Sequence, residues 1–244
     1  RDVGVKTVRV VKKTLKFLKG CGVKGEALFS DGRVLKVGRV KRVISTLLAE
    51  EQLMPIGDTI FAVGMGSADP HYLGEDDDVV LANQPIVFDI FPQDRDGYSF
   101  DCTRTFVMGR ASREVKKMYE TVLEVQQQAV EALKEGVLAK GVMNLACEKF
   151  ERRGYRTLRS LLKGNREAQL RGFIHSLGHG VGLTIGERPH LALHSNYPIR
   201  NGHVTTVEPG LYEPGLGGVR LEDVAAIEGG SAVNLTSLEK VLEY

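Results

Sequence analysis

The sequence predicts an α+β fold made of two similar halves around one antiparallel sheet. Three observations carry this expectation. The order of elements runs twice through two helices, a strand and an acidic hairpin within 244 residues. Hydrophobic residues make up 42% and charged residues 26%, ordinary globular usage, so the chain can bury a sizeable core. Nothing along it is long and polar enough to serve as a linker, so 1–244 reads as a single domain.

Each element has a local reason. Val8, Val11, Leu15 and Leu18 share one helical face, and Gly20 and Gly22 are C-terminal stops. Val40, Val43, Ile44, Leu47 and Leu48 repeat the spacing in a second helix that ends before Pro55 and Gly57. A strand over 59–63, a loop over 67–78 and an apolar strand over 85–91 follow. A turn at DRDG (94–97) leads into a second strand, YSFDCTRTFVMG. The pattern then restarts. Ser112 caps a long helix with Met118, Val122, Val125, Ala129 and Leu133 inward and Gly136 as its stop. A shorter helix covers 142–150, and a polar connection covers 162–172. Two last strands, 204–212 and 219–227, flank EPGLGG.

Several function classes are excluded early. Lys and Arg exceed Asp and Glu by only two, too little for a protein whose main partner is nucleic acid. No apolar run approaches the ~18–20 residues of a membrane span, and no signal-peptide stretch opens the chain. Three cysteines, Cys21, Cys102 and Cys147, fit neither a disulfide framework nor a thiolate zinc site, which suggests a reducing, cytoplasmic setting. The 28 glycines are the one departure from average composition, and many adjoin acids or histidines.

The acids inside apolar strands are the chemical signal. Asp89 sits in VFDIF, and a buried carboxylate needs a partner. Asp89 and Asp101 are equidistant from Arg95, the middle of the first turn. Glu208 and Glu222 are equidistant from Gly215 in the second. Residues so placed face each other across an antiparallel pair, with Cβ atoms ~4.5–5.5 Å apart. Two facing acid pairs call for shared protons or, better, divalent cations. Taken singly, each acid also fits a solvent-facing position on an amphipathic strand. His179, between Gly178 and Gly180 and four residues after His175, is the natural nitrogen ligand for such a site.

The strings DGYSFDCTRT (96–105), HSLGHGVGL (175–183), VEPGLYEPG (207–215) and GGVRLED (217–223) resemble the pita-bread metallopeptidases. They are most similar to the Xaa-Pro aminopeptidase and prolidase (Xaa-Pro dipeptidase) branch, and the resemblance covers essentially the whole chain. It implies a dinuclear site on Asp89, Asp101, His179, Glu208 and Glu222, with Asp101 and Glu222 bridging two divalent ions. Manganese or cobalt leads, with zinc or iron as alternatives. A hydroxide held between the ions would attack the peptide bond before proline. The resemblance makes Glu208 the proton shuttle and gives His71 and His175 catalytic and substrate-binding roles. It assigns Tyr212 and Arg220 to substrate binding. A peptide substrate is the implied partner and a homodimer the assembly left open.

Three departures accompany the resemblance. The two aspartates lie twelve rather than eleven residues apart, one extra residue in the turn. Gly186 stands in GLTIGERP where relatives carry a histidine, with His190 and His194 as nearby substitutes. The family's N-terminal domain is expected to be absent from this chain. Two other functions remain open: a methionine aminopeptidase-like peptidase, against which the string Arg220 to Asp223 argues, and a catalytically weak peptide- or protein-binding member. A hydrolase of small amidine or cyclic compounds on the same fold is a third.

Overall fold

The structure is a computed structural model that describes residues 1–163 and 171–244. Helix α1 (Asp2–Lys19) opens it, followed by a small antiparallel sheet of β1 (Gly22–Lys24), β2 (Ala27–Ser30) and β3 (Arg33–Val34). Helix α2 (Val37–Glu50) and the short β4 (Met54–Pro55) lead to β5 (Ile60–Val63), then to a 3-10 turn over Gly64–Ala68. Strands β6 (Pro85–Ile90), β7 (Pro92–Gln93) and β8 (Cys102–Val107) complete the first half, with β5, β6 and β8 in one antiparallel sheet. The helical periodicity explains the packing: Val8, Val11 and Leu18 of α1 and Val40, Ile44 and Leu48 of α2 bury against Phe61, Phe88 and Phe106.

The second half repeats the arrangement. Helix α3 (Arg113–Ala132) begins where the Ser112 hydroxyl accepts the Val115 N–H at 3.2 Å, the expected cap. It ends at Ala132, and Gly136, expected as its stop, instead lies in the following turn with φ +86°. Helices α4 (Ala139–Arg152) and α5 (Leu158–Lys163) follow. The polar connection expected over 162–172 lies largely outside the described residues. Strands β9 (Gly178–Val181), β10 (Ile185–Leu191), β11 (Val204–Val207), β14 (Asp223–Glu228) and β15 (Ser231–Asn234) form a five-stranded antiparallel sheet, ordered β10-β9-β11-β14-β15. Strands β12 (Gly210–Glu213) and β13 (Gly217–Arg220) form the hairpin between β11 and β14. A second hydrophobic core gathers Met118, Val122 and Val125 of α3 and Val142 and Phe150 of α4 beneath Val207, Leu211, Val219 and Ala225. Among the described residues each half thus centres on one large core, with smaller clusters at Ile60, Ala62 and Val87 and at Val107, Ala111 and Val115, in keeping with the expected two-part architecture.

The strands expected over 204–212 and 219–227 are each broken in two. Val207 pairs with Asp223 and Gly210 with Arg220, in one continuous register, but 208–209 and 221–222 lie in the gap between the paired segments. Pro209 has no N–H to give to a ladder, which accounts for the break on one side. Neighbours outside the hairpin take the freed amides: Glu208 N–H donates to Leu177 O at 2.9 Å, and Glu222 N–H to Thr103 O at 3.1 Å. The C-terminal segment returns to the first half, where Val107 N–H donates to Leu242 O at 2.7 Å.

Candidate metal centre

The first hairpin places its aspartates differently from the expected facing pair. Asp89 on β6 pairs with Thr103 on β8, and Asp101 lies two residues before Thr103, a diagonal neighbour on the same face. The turn explains the shift. Asp94 Oδ1 accepts the N–H groups of both Asp96 and Tyr98 at 3.0 Å, and Gln93 pairs with Ser99, so the turn centres on Asp96 rather than Arg95. In the second hairpin the expected centre at Gly215 is correct, because Glu213 pairs with Gly217 around it. Glu208 and Glu222 therefore sit level with one another in the unladdered gap. His179 enters on β9 beside Gly178, where a Cβ would lie only 2.1 Å from Thr206 O. Only glycine lets β9 approach β11 that closely.

These elements converge. Among the described residues, Asp101, His179 and Glu222 offer ligand atoms that all lie within 4.8 Å of one another. His179 Nε2 is 3.6 Å from Asp101 Oδ2 and 3.4 Å from Glu208 Oε1. Asp89 joins from the other side: its Oδ2 accepts Arg220 Nη2 at 2.8 Å, while its buried Oδ1 has no hydrogen-bond partner. Burial, then Glu222, Asp89 and Glu208, push the Asp101 carboxyl well above the usual aspartate range. Burial and the neighbours Glu208 and Asp89 raise Glu222 in the same way, opposed by His179 and a Thr103 hydrogen bond. Burial pushes Glu208 up to about 7 against the opposing pull of Arg220. Three buried carboxylates and the half-buried Glu208 beside one imidazole, with one carboxylate oxygen orphaned, make a donor set suited to hard or borderline divalent cations. The residues present therefore fit the ions that the resemblance implies.

A directed hydrogen-bond chain borders the acids. Arg220 Nη1 donates to Tyr212 Oη at 2.8 Å, and Tyr212 Oη lies 2.9 Å from His175 Nε2. His175 Nδ1 faces the carbonyl of Ser176 at 2.7 Å, so it carries the ring proton, and Nε2 accepts from Tyr212. Burial, with Arg220 nearby, pushes His175 down to about 3, and burial pushes Tyr212 up to about 12. His71 is exposed at the edge, its N–H donating to Asp69 Oδ1 at 2.9 Å, and the adjacent Pro70 carbonyl lies 3.4 Å from Arg220 Nη1. The structure thus groups Asp89, Asp101, His179, Glu208, Glu222, Arg220, Tyr212 and His175, with His71 outside the buried cluster.

Gly186 occupies a backbone site of its own kind. The β9–β10 register shifts between Ile185 and Glu187, and Gly186 bulges there with φ +84° and donates its N–H to His179 Nδ1 at 3.2 Å. A Cβ at this position would meet nothing within 4 Å, so the strain of any L residue there is conformational rather than steric. Gly186→Ala is expected to lose about 1 kcal/mol of stability, measured by denaturant titration; an unchanged midpoint would show that the bulge relaxes. His190 and His194 line a separate cavity of about 660 Å3 with Arg188, Ser176 and Tyr197.

Sequence reasoning missed the groups that brace these acids. Thr103 Oγ1 lies 2.8 Å from Glu222 Oε2, and Thr206 Oγ1 lies 3.2 Å from Glu208 Oε1. Arg104 and Asp223 form a fully buried pair at 2.8 Å directly behind Glu222. Threonine in a strand is ordinary β-branched filler, so no spacing marks it. Asp223 lay inside the string VRLED, beside an expected ligand, and that adjacency was the available signal.

Comparison with known proteins follows the same direction. The family model described as metallopeptidase family M24 matches residues 23–228. The chain is 34% identical over 251 residues to the Xaa-Pro dipeptidase of Pyrococcus furiosus, covering 99% of this chain and 67% of that protein. It is 33% identical to the Xaa-Pro dipeptidase of Pyrococcus horikoshii, covering 99% and 66%. Among solved structures, the prolidase from Pyrococcus furiosus superposes with a TM-score of 0.82 at 32% identity, over 98% of this chain and 63% of that one. The X-Pro aminopeptidase from Thermotoga maritima MSB8 also gives 0.82, at 26% identity over 100% and 62%. The chain thus spans about two thirds of the length of these relatives.

Proposed function

Because this chain belongs to metallopeptidase family M24, we propose that it is an Xaa-Pro dipeptidase whose five convergent ligands hold two divalent ions. The carrying observation is the convergence of Asp101, His179 and Glu222 within 4.8 Å, with the orphaned Oδ1 of Asp89 alongside. Asp89, Asp101, His179, Glu208 and Glu222 would hold the ions. Manganese or cobalt would suit the carboxylate-rich set, with zinc or iron as alternatives. Bound ions supply Lewis acidity and a water whose pKa is lowered towards neutrality.

The chain's own groups do the rest. Glu208 is assigned the proton transfer, taking up a proton and passing it to the leaving nitrogen. We assign the exposed His71 to orienting a substrate carbonyl or terminus, the role the resemblance implies. His175 was expected to touch substrate, but both of its nitrogens are engaged. We assign it to holding the Tyr212 hydroxyl, which accepts from Arg220, so that Arg220 stays directed at Asp89.

The names of the Pyrococcus relatives favour dipeptides, whereas the Thermotoga structure keeps longer Xaa-Pro peptides open. The test loads the purified protein with manganese or cobalt, counts bound ions by elemental analysis, and follows release from Xaa-Pro dipeptides, Xaa-Pro-Yaa peptides and Met-Ala peptides. Two ions per chain with cleavage of Xaa-Pro dipeptides is the expected result. Preference for longer peptides would make it an aminopeptidase, and preference for Met-Ala would move it to the methionine branch. No bound ion and no cleavage would leave a binding protein.

A further inference from the structure

We propose that Thr103 and Thr206 are positioning residues that set the affinity of the ion site, each by fixing one glutamate carboxylate with a hydroxyl whose direction is forced. The inference rests on the ion-site reading above.

A threonine hydroxyl has one proton and can face either way, so its direction ordinarily stays undetermined. Here both directions are settled by neighbours that can only donate. Arg220 Nε donates to Thr103 Oγ1 at 3.3 Å, so the single Thr103 proton goes to Glu222 Oε2 at 2.8 Å. The His179 backbone N–H donates to Thr206 Oγ1 at 3.0 Å, so the Thr206 proton goes to Glu208 Oε1 at 3.2 Å. Thr103 and Thr206 are fully buried and Glu222 is 1% exposed, so water does not replace the Thr103 bond, whereas Glu208 keeps 17% of its side chain exposed and its bond is open to competition.

The backbone makes these bonds matter. Glu208 and Glu222 lie where the second hairpin loses its ladder, so no cross-strand partner within that hairpin restrains them. The Glu222 brace comes from the other half of the molecule. Thr103 belongs to β8, takes the Glu222 N–H on its carbonyl, and shares the Arg104 guanidinium with the Glu222 carbonyl. One threonine thus grips Glu222 at both backbone and carboxylate. The Glu208 brace is local and longer, reaching only two residues along β11. The arrangement predicts an order: losing the Thr103 hydroxyl should weaken the site more than losing the Thr206 hydroxyl.

Valine has threonine's shape without its hydroxyl. It leaves Glu222 Oε2 without its donor and Arg220 Nε without its acceptor. Loss of an outer hydrogen bond to a ligand typically costs ~10–100-fold in metal affinity. The experiment titrates manganese into the metal-free protein at fixed pH and counts free Mn2+ by electron paramagnetic resonance. Thr103→Val should bind manganese ~10–100-fold more weakly than the parent, Thr206→Val should fall between the two, and Thr103→Ser should restore affinity to within about threefold. The metal-free thermal midpoint is read in parallel, and if Thr103→Val does not fold, Thr206→Val with Thr206→Ser decides the matter by the same loss and rescue. Parental affinity in the folded valine variants, or serine variants as weak as valine, would overturn the proposal while leaving the ion site intact. A parent protein that binds no manganese would overturn both.

Discussion

Glu208→Gln should reduce Xaa-Pro hydrolysis by at least ~100-fold, yet leave the metal-free protein more stable than the parent above neutral pH. The first effect follows from removing the carboxyl assigned to proton transfer. Glutamine keeps an oxygen for the Thr206 hydroxyl, so the local hydrogen bond survives. The second effect follows from linkage. Glu208 is raised from 4.5 to about 7 on folding. Below 4.5 it is protonated in both states and costs nothing; as pH rises through 7 the folded protein must carry the buried charge, and that part of the stability is lost. His175, held at about 3 when folded, works the other way by losing stability as pH falls below 6.5. The difference between variant and parent isolates Glu208. In chelator, denaturant midpoints should diverge in favour of Glu208→Gln as pH rises from 5 to 8. Parallel pH profiles would show that the cluster does not hold Glu208's proton, and parental turnover would remove Glu208 from the mechanism.

Arg104→Met should be strongly destabilising although Arg104 lies outside the proposed ligand set, costing about 3–5 kcal/mol. Arg104 and Asp223 are both essentially excluded from water. Asp223 also accepts Gln126 Nε2 at 3.0 Å, Asn234 Nδ2 at 2.7 Å and the Lys240 ammonium. Burial alone would raise the Asp223 carboxyl, but Arg104 and Lys240 outweigh it and hold it below the ordinary aspartate value. Methionine fills similar volume and strands a charged Asp223 without its strongest partner. It also releases the carbonyls of Glu222 and Leu238 that Arg104 bridges. Because a depressed acid gives its stability above its unfolded pKa and loses it as pH falls through the folded one, the deficit should be full at pH 7 and shrink in acid. Thermal unfolding at pH 7 and pH 3 checks both. A loss under 1 kcal/mol at pH 7 would mean that Lys240, Gln126 and Asn234 satisfy the carboxylate without Arg104.

The helices were legible in the sequence because burial on one face leaves a 3.6-residue imprint: Val8, Val11, Leu15 and Leu18 are all buried, as their spacing predicts. The Ser112 cap was legible for a similar reason, since a lone hydroxyl before an amphipathic run has one common use. The four carboxylates of the proposed site were legible as chemistry, being acids where apolar residues belong. Their register was legible only in part. Counting from a turn works where the turn is a simple closure, as at Gly215. It fails at 94–98, where the Asp94 side chain captures two backbone amides and moves the centre by one residue. The hydrogen-bond direction at Thr103, Thr206 and His175 was not legible at all. It depends on which neighbours can only donate or, at His175, only accept, and those neighbours lie up to 117 residues away.

The position of the cluster at the junction of the two halves bears on the order of events during folding. The first half contributes Asp89 and Asp101, and the second contributes His179, Glu208 and Glu222, while each half packs around its own hydrophobic core. A chain with only one core consolidated therefore presents either two aspartates or a histidine and two glutamates of which Glu222 lacks its Thr103 brace. Ion capture under the proposed reading must then be a late step that follows docking of the halves. The ions would consolidate a finished molecule rather than nucleate one.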